Sequence, residues 1–200
     1  MIGVEIGRVL VASLHEAIAD ELPTRVDFYD HWLGGERLRD GSVGLAPMTA
    51  VLGFLRAEGP AYHVVMARAG AYAADWSVDS MPAMRRRMML ALPRWWRVRS
   101  VLKMAARTIR QGYEPTKAVA RIRRGDARLE VKDSLFCRVR EPQPAPLCDF
   151  QAALIVQMLS RFNLPATFRI EQCMGTRGDA CAVAIDVTPA IAEMETGTAA

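Results

Sequence analysis

The chain has 200 residues, 51% apolar and 24% charged, with a formal net charge of +4, a composition that excludes disordered and fibrous classes and points to a soluble globular protein. No stretch approaches the roughly 18 consecutive apolar residues of a membrane span. The apolar start MIGVEIGRVLVASLHEA is broken by Glu5, Arg8 and His15 and has no basic leader, so it does not read as a signal peptide, and a cytoplasmic protein is expected.

The first half reads as helical. Val9, Leu10, Leu14, Ala17 and Ile18 recur at amphipathic spacing until Pro23. A short helix follows Thr24 and ends near Gly34-Gly35. Four glycines between Gly34 and Gly44 make a loop. Helices then open at Pro47, Pro60, Pro82 and Pro93, running to Leu55, Ala74, Leu92 and Gly112. Proline suits a first helical position because its missing N–H would have had no partner there. In the last of these helices Trp95, Val98, Leu102, Ala105, Ala106 and Ile109 form one stripe.

Charge is uneven along this half. From Ser80 to Tyr113 there are nine Arg or Lys residues and no acid. Such a run suits an anionic ligand or membrane surface, or is the solvated face of a helix. Nucleic acid is not expected, because the overall charge is modest and no recognition motif is present.

The period changes after about residue 115. Segments 118–123 and 128–131 alternate about Gly125-Asp126, a hairpin signal, with the second strand extending towards Val139. EPQPAP forms an irregular connection, 149–163 returns to helix, and 167–173 and 180–187 are strands joined by MGTRGD. The expected fold is α+β: a helical N-terminal part, about 1–114, packed on a small, mostly antiparallel sheet of order strand–strand–helix–strand–strand, about 115–190. Together these form a single domain over 1–192, with a disordered tail at 193–200.

All four cysteines lie in the second part, at 137, 148, 173 and 181. In a reducing compartment such clustering suggests a metal site more than disulfides, beside the plain alternative of four small buried side chains. Cys173 and Cys181 flank one turn, close enough to share an ion. Strand alternation places Glu171 on the face of Cys173. Cys148 stands directly before a helix, whose positive end favours thiolate. The expected ligands are therefore Cys148, Cys173, Cys181 and Glu171, with Cys137 as the alternative fourth.

The segment LCDFQAALIVQMLSRFNLPATFRIEQCMGTRGDACAVAIDV resembles the C-terminal core of the 4-vinyl-reductase domain family, through Cys148, Cys173, Gly178-Asp179 and Cys181. That resemblance implies a fold shared with TRAPP tethering subunits, a structural zinc and dimerisation through helices. It departs from the family at Ile170, where the family's ligand glutamate commonly stands, Glu171 coming one residue late.

No nucleophile elbow, Walker loop, dinucleotide fingerprint or His-x-x-x-His pair occurs. With no nicotinamide or flavin site, a reductase is less expected than an accessory or carrier protein. The leading expectation is a protein that binds an apolar, aromatic or tetrapyrrole-like molecule. By analogy with ligand-binding relatives, Phe54, Tyr62, Met66, Tyr72, Trp76 and Trp95 are candidate lining residues, and Arg94 and Arg97 candidate partners of a ligand carboxylate. The competing expectation is a homodimeric scaffold docking on a larger protein complex, or on a membrane surface through the basic helix 93–112.

Overall fold

The computed structural model describes residues 5–33, 43–123 and 126–187. The expected glycine loop, apart from Val43-Gly44, and the expected tail lie outside them, as does Gly125. Seven helices are described: α1 (Arg8–Glu21), α2 (Val26–Leu33), α3 (Leu45–Ala57), α4 (Pro60–Asp79), α5 (Ala83–Ala91), α6 (Arg94–Gly112) and α7 (Asp149–Arg161). Strands β1 (Glu5–Ile6) and β2 (Val43–Gly44) form a small ladder. The main sheet contains β3 (Lys117–Arg123), β4 (Asp126–Lys132), β5 (Ala166–Gln172) and β6 (Cys181–Val187). Its order is β3-β4-β6-β5, antiparallel throughout. The protein is thus α+β, mostly helical, with a small four-stranded antiparallel sheet beside the short β1–β2 ladder.

Proline marks the helix starts, though at more than one position. Pro60 opens α4 from within, whereas Pro82 and Pro93 cap α5 and α6 from outside. The longer helices each bury one stripe. On α6 this is Val98, Val101, Leu102, Ala105, Ala106 and Ile109, while Trp95 stays exposed one turn before it.

The centre of the molecule is the seam between α4 and α7. Their contacts advance together along both chains, from His63–Asp149 (2.9 Å) through Gly70 against Phe150 and Leu154 to Asp75–Gln157 (2.9 Å) and Asp75–Arg161 (2.6 Å), so the helices run parallel. Gly70 makes the approach: a Cβ there would stand 2.3 Å from the Phe150 carbonyl oxygen.

Two sequence expectations fail locally. The second hairpin strand does not run to Val139. It ends at Lys132, Asp133 takes φ +55, and Leu135–Cys137 is a turn of 3-10 helix. The strand carrying Glu171 is also irregular. Its pairing steps from Ile170↔Val183 to Gln172↔Ala182, leaving Glu171 as the extra residue of a β-bulge. A bulge interrupts alternation, so the two-residue spacing from Glu171 to Cys173 no longer fixes a shared face.

Candidate functional site

The 3-10 turn after β4, the start of α7 and the two ends of the β5–β6 connection converge. They bring Cys137, Cys148, Cys173 and Cys181 together as four buried free thiols. The sulfurs lie 3.3 Å apart for Cys148–Cys173 and Cys137–Cys181, 3.6 Å for Cys137–Cys173 and 3.7 Å for Cys137–Cys148, and all four are within 4.8 Å of one another. Four thiolates around a tetrahedral zinc stand about 3.8 Å apart, given Zn–S bonds of about 2.3 Å. The cluster thus has the size and donor set of a closed four-sulfur metal site. Glu171 lies outside it, exposed, with its carboxylate 3.3 Å from both Arg128 and Arg169.

Backbone N–H groups favour charge at one sulfur in particular. Leu147 and Gly175 each donate to Cys173 Sγ at 3.3 Å. Hydrogen bonds from the other three sulfurs, supported by the Leu147 N–H, hold the Cys173 thiol far below its ordinary pKa. The same sulfur contacts, with burial, push Cys148 up. Four buried thiolates repel one another, and a divalent cation removes that conflict. The turn is shaped to fit: Gly178 N–H and Thr176 N–H bond the Cys173 carbonyl at 2.9 and 3.1 Å. A Cβ at Gly178 would stand 2.8 Å from that same oxygen. Gln143 N–H binds the Gly175 carbonyl at 2.8 Å, fastening the proline-rich connection to the turn.

Next to the cluster lies a cavity of about 220 Å³ between α1, α4, α6, α7 and the 3-10 turn. Leu10, Ala73, Ile109, Leu135, Phe136 and Phe150 give it an apolar lining, and Tyr113, Thr116, Ser134 and Gln151 add polar groups. Gln151 is 1% exposed. Its Nε2 donates to Ser134 Oγ at 2.8 Å, while its Oε1 is buried with no hydrogen-bond partner. Nothing in the local sequence singles out Gln151, which sits in an apolar helical stretch.

None of the residues expected to hold a ligand lines this cavity. Tyr62 and Met66 are fully buried in the core. The Tyr62 hydroxyl has no partner, and burial, then the neighbouring Cys137, raise its pKa far above the ordinary value. Phe54 stacks edge-on with Phe28 beside Trp32. Tyr72 stacks on Trp76 and bonds Asp20. Arg94 donates to the Val187 carbonyl and Arg97 to the Leu90 carbonyl, at 3.0 and 3.1 Å. Trp95 is 46% exposed.

No family model matches this chain, and no curated protein does. Solved structures match by fold. An H-NOX protein from S. oneidensis in the Fe(II)NO ligation state is 13% identical, with 92% of this chain and 100% of that one covered and a TM-score of 0.58. An Fe(II) unliganded mutant H-NOX protein from K. algicida is 13% identical, with 93% and 98% covered and a TM-score of 0.57. The phenol-responsive sensory domain of the transcription activator PoxR, solved with phenol, is 14% identical, with 69% and 73% covered and a TM-score of 0.49.

These findings overturn the expected membership of the 4-vinyl-reductase and TRAPP group: the likeness found is to H-NOX structures, and the cysteine pattern that suggested otherwise spans only the last part of the chain.

A haem, the group an H-NOX fold suggests, needs a macrocycle-sized cavity and an axial His, Cys, Met or Tyr. The cavity here is smaller than the roughly 300–1,000 Å³ of sites for drug-sized ligands. The single residue of axial type in its lining is Tyr113, whose hydroxyl accepts from Arg138. His15 and His63 are turned to Asp30 and Asp149, His31 lies against Trp32, and none of the three lines the cavity. The residues present do not fit a haem. The fold is H-NOX-like, and its centre is built from other chemistry.

Proposed function

We propose that this chain is a small-molecule-binding domain of H-NOX-like fold, with its ligand in the 220 Å³ cavity and a structural zinc in the four-cysteine cluster. The observation that carries the reading is the unpartnered Gln151 Oε1, buried in the wall of a largely apolar cavity. A buried acceptor without a partner costs about 1–3 kcal/mol, which a ligand donor recovers. The size suits one ring, since an apolar cavity of about 150 Å³ accepts benzene. The H-NOX protein solved with NO supports small-ligand binding on this fold. An all-thiolate set with no open position suits a structural metal rather than a catalytic one.

Calorimetry of metal-replete protein with phenol tests the reading. Saturable binding of one phenol per chain, abolished by Ala73→Leu, which fills the cavity, is the expected result. Binding that is absent, or indifferent to Ala73→Leu in a folded variant, overturns it.

A second reading rests on a different surface. Met84, Met88, Trp95 and Trp96 are 70%, 64%, 46% and 56% exposed on α5 and the start of α6. Large apolar side chains among arginines are what docking on a second copy, a larger partner or an anionic membrane requires. No helix among the described residues is long and apolar enough to cross a membrane. Co-sedimentation with anionic vesicles, lost at high salt and in Trp95→Ser/Trp96→Ser, is the result expected for the membrane case.

A further inference from the structure

The cavity adjoins a second, larger space. A groove of about 670 Å³ runs between the end of α4, α5 and α6. Val9, Ser77, Thr108 and Gln111 belong to the linings of both. Groove and cavity are therefore neighbours with a common wall.

Its chemistry is distinctive. Residues Ser100, Lys103, Met104, Arg107, Thr108 and Gln111 recur at helical spacing along α6, beside the stripe that enters the core. Facing them, α5 contributes Arg85 and Met89, one turn apart. Three cations, Arg85, Lys103 and Arg107, thus ring a floor that includes Met81, Met89 and Met104. No acid lines the groove, and among the described residues none of the three cations has an ion-pair or hydrogen-bond partner. Other cations of the same run are engaged: Arg86 with Asp79, Arg97 with Leu90 and Arg110 with Ala118. Like charges gathered around a methionine floor repel one another, and an anion offsets that repulsion.

We propose that the ligand is an anionic amphiphile. Its ring or hydrocarbon end enters the cavity, and its carboxylate or phosphate head sits in the groove on Arg85, Lys103 and Arg107. This assignment rests on the cavity as ligand site and adds the head group. The methionine floor adapts to the linking segment, since the thioether side chain is flexible and polarisable. The cationic ring supplies charge-assisted hydrogen bonds.

The test is calorimetry of the full chain with phenylacetate, phenylbutanoate and phenyloctanoate and with the three matching alcohols, so that length and charge vary separately. At one length or more, the acid should bind at least about tenfold more tightly than its alcohol. That preference should shrink in about 0.5 M salt. It should vanish in Arg85→Gln/Lys103→Gln/Arg107→Gln, whose replaced side chains are all exposed, while binding of phenol, which stays in the cavity, is unchanged. Equal binding of acids and alcohols at every length overturns the anionic head and leaves the cavity standing. An acid preference that survives the triple substitution overturns the groove. Phenol binding with no binding of the longer compounds overturns the amphiphile, and no binding of any compound, phenol included, overturns the cavity as well.

Discussion

Phe136 and Cys137 are consecutive in one 3-10 turn, yet they serve two sites: the Phe136 ring, 4.6 Å from that of Phe150, closes the cavity, and Cys137 Sγ lies 3.3 Å from Cys181 Sγ. The start of α7 repeats the pattern, with Cys148 in the cluster and Phe150 and Gln151 in the cavity wall. A metal in the cluster and a ligand in the cavity would therefore act on the same two short segments.

Sites that share their walls are thermodynamically coupled, and the coupling is reciprocal. Removing the metal with a chelator should weaken phenol binding by about 1–3 kcal/mol, and phenol should slow metal loss by the same linkage. Acid should act like the chelator: the thiolates must be deprotonated to bind, so metal affinity falls as pH falls. Calorimetry before and after chelation, with metal content followed against pH, measures both effects.

Cys137→Ser and Glu171→Gln separate the candidate fourth ligands. Cys137→Ser should lose the metal and lower stability by more than about 3 kcal/mol. Glu171→Gln removes exposed ion pairs with Arg128 and Arg169 and should cost no more than about 1 kcal/mol. Metal analysis with urea unfolding distinguishes them.

Gly70→Ala should cost about 1–3 kcal/mol, because its Cβ would meet the Phe150 carbonyl at 2.3 Å and α4 and α7 must separate. Since that seam adjoins the cavity wall at Ala73 and Phe150, phenol affinity should change too. Urea denaturation and calorimetry on the same variant report the two effects.

Gln151→Leu replaces the unpartnered acceptor with an apolar side chain. Phenol affinity should fall about tenfold or more, while that of toluene, which has no donor, should not fall. Equal losses for both would mean that the substitution changed shape rather than hydrogen bonding.

Much of the fold is legible in the sequence, because helix starts and strand periods are local. Prolines at 60, 82 and 93 mark helix boundaries, and Cys148-Asp149 marks the start of α7. The sites are less legible, because they depend on breaks in periodicity. Asp133, at φ +55, ends β4 and starts the turn that carries Cys137, whereas the residues through Val139 read as extended chain. The bulge at Glu171 is equally silent, since alternation read from sequence assumes an unbroken ladder. The cavity draws on residues from Gly7 to Gln151, brought together by packing that no single window displays. Aromatic abundance was a poor guide to it: Tyr72 and Trp76 stack on each other elsewhere, Trp95 is exposed, and Phe136 and Phe150 supply the rings.

One wall of the groove is thinly anchored. Met89 is the single buried side chain among the nine residues of α5, whereas α4 and α6 on either side bury whole stripes. A helix tethered by so little apolar surface opens locally at small free-energy cost. Its amide hydrogens should therefore exchange with solvent ahead of those of α4 and α6, and a molecule in the groove should slow that exchange. The position of this one helix would then report an occupied interior to whatever touches the outside of the protein.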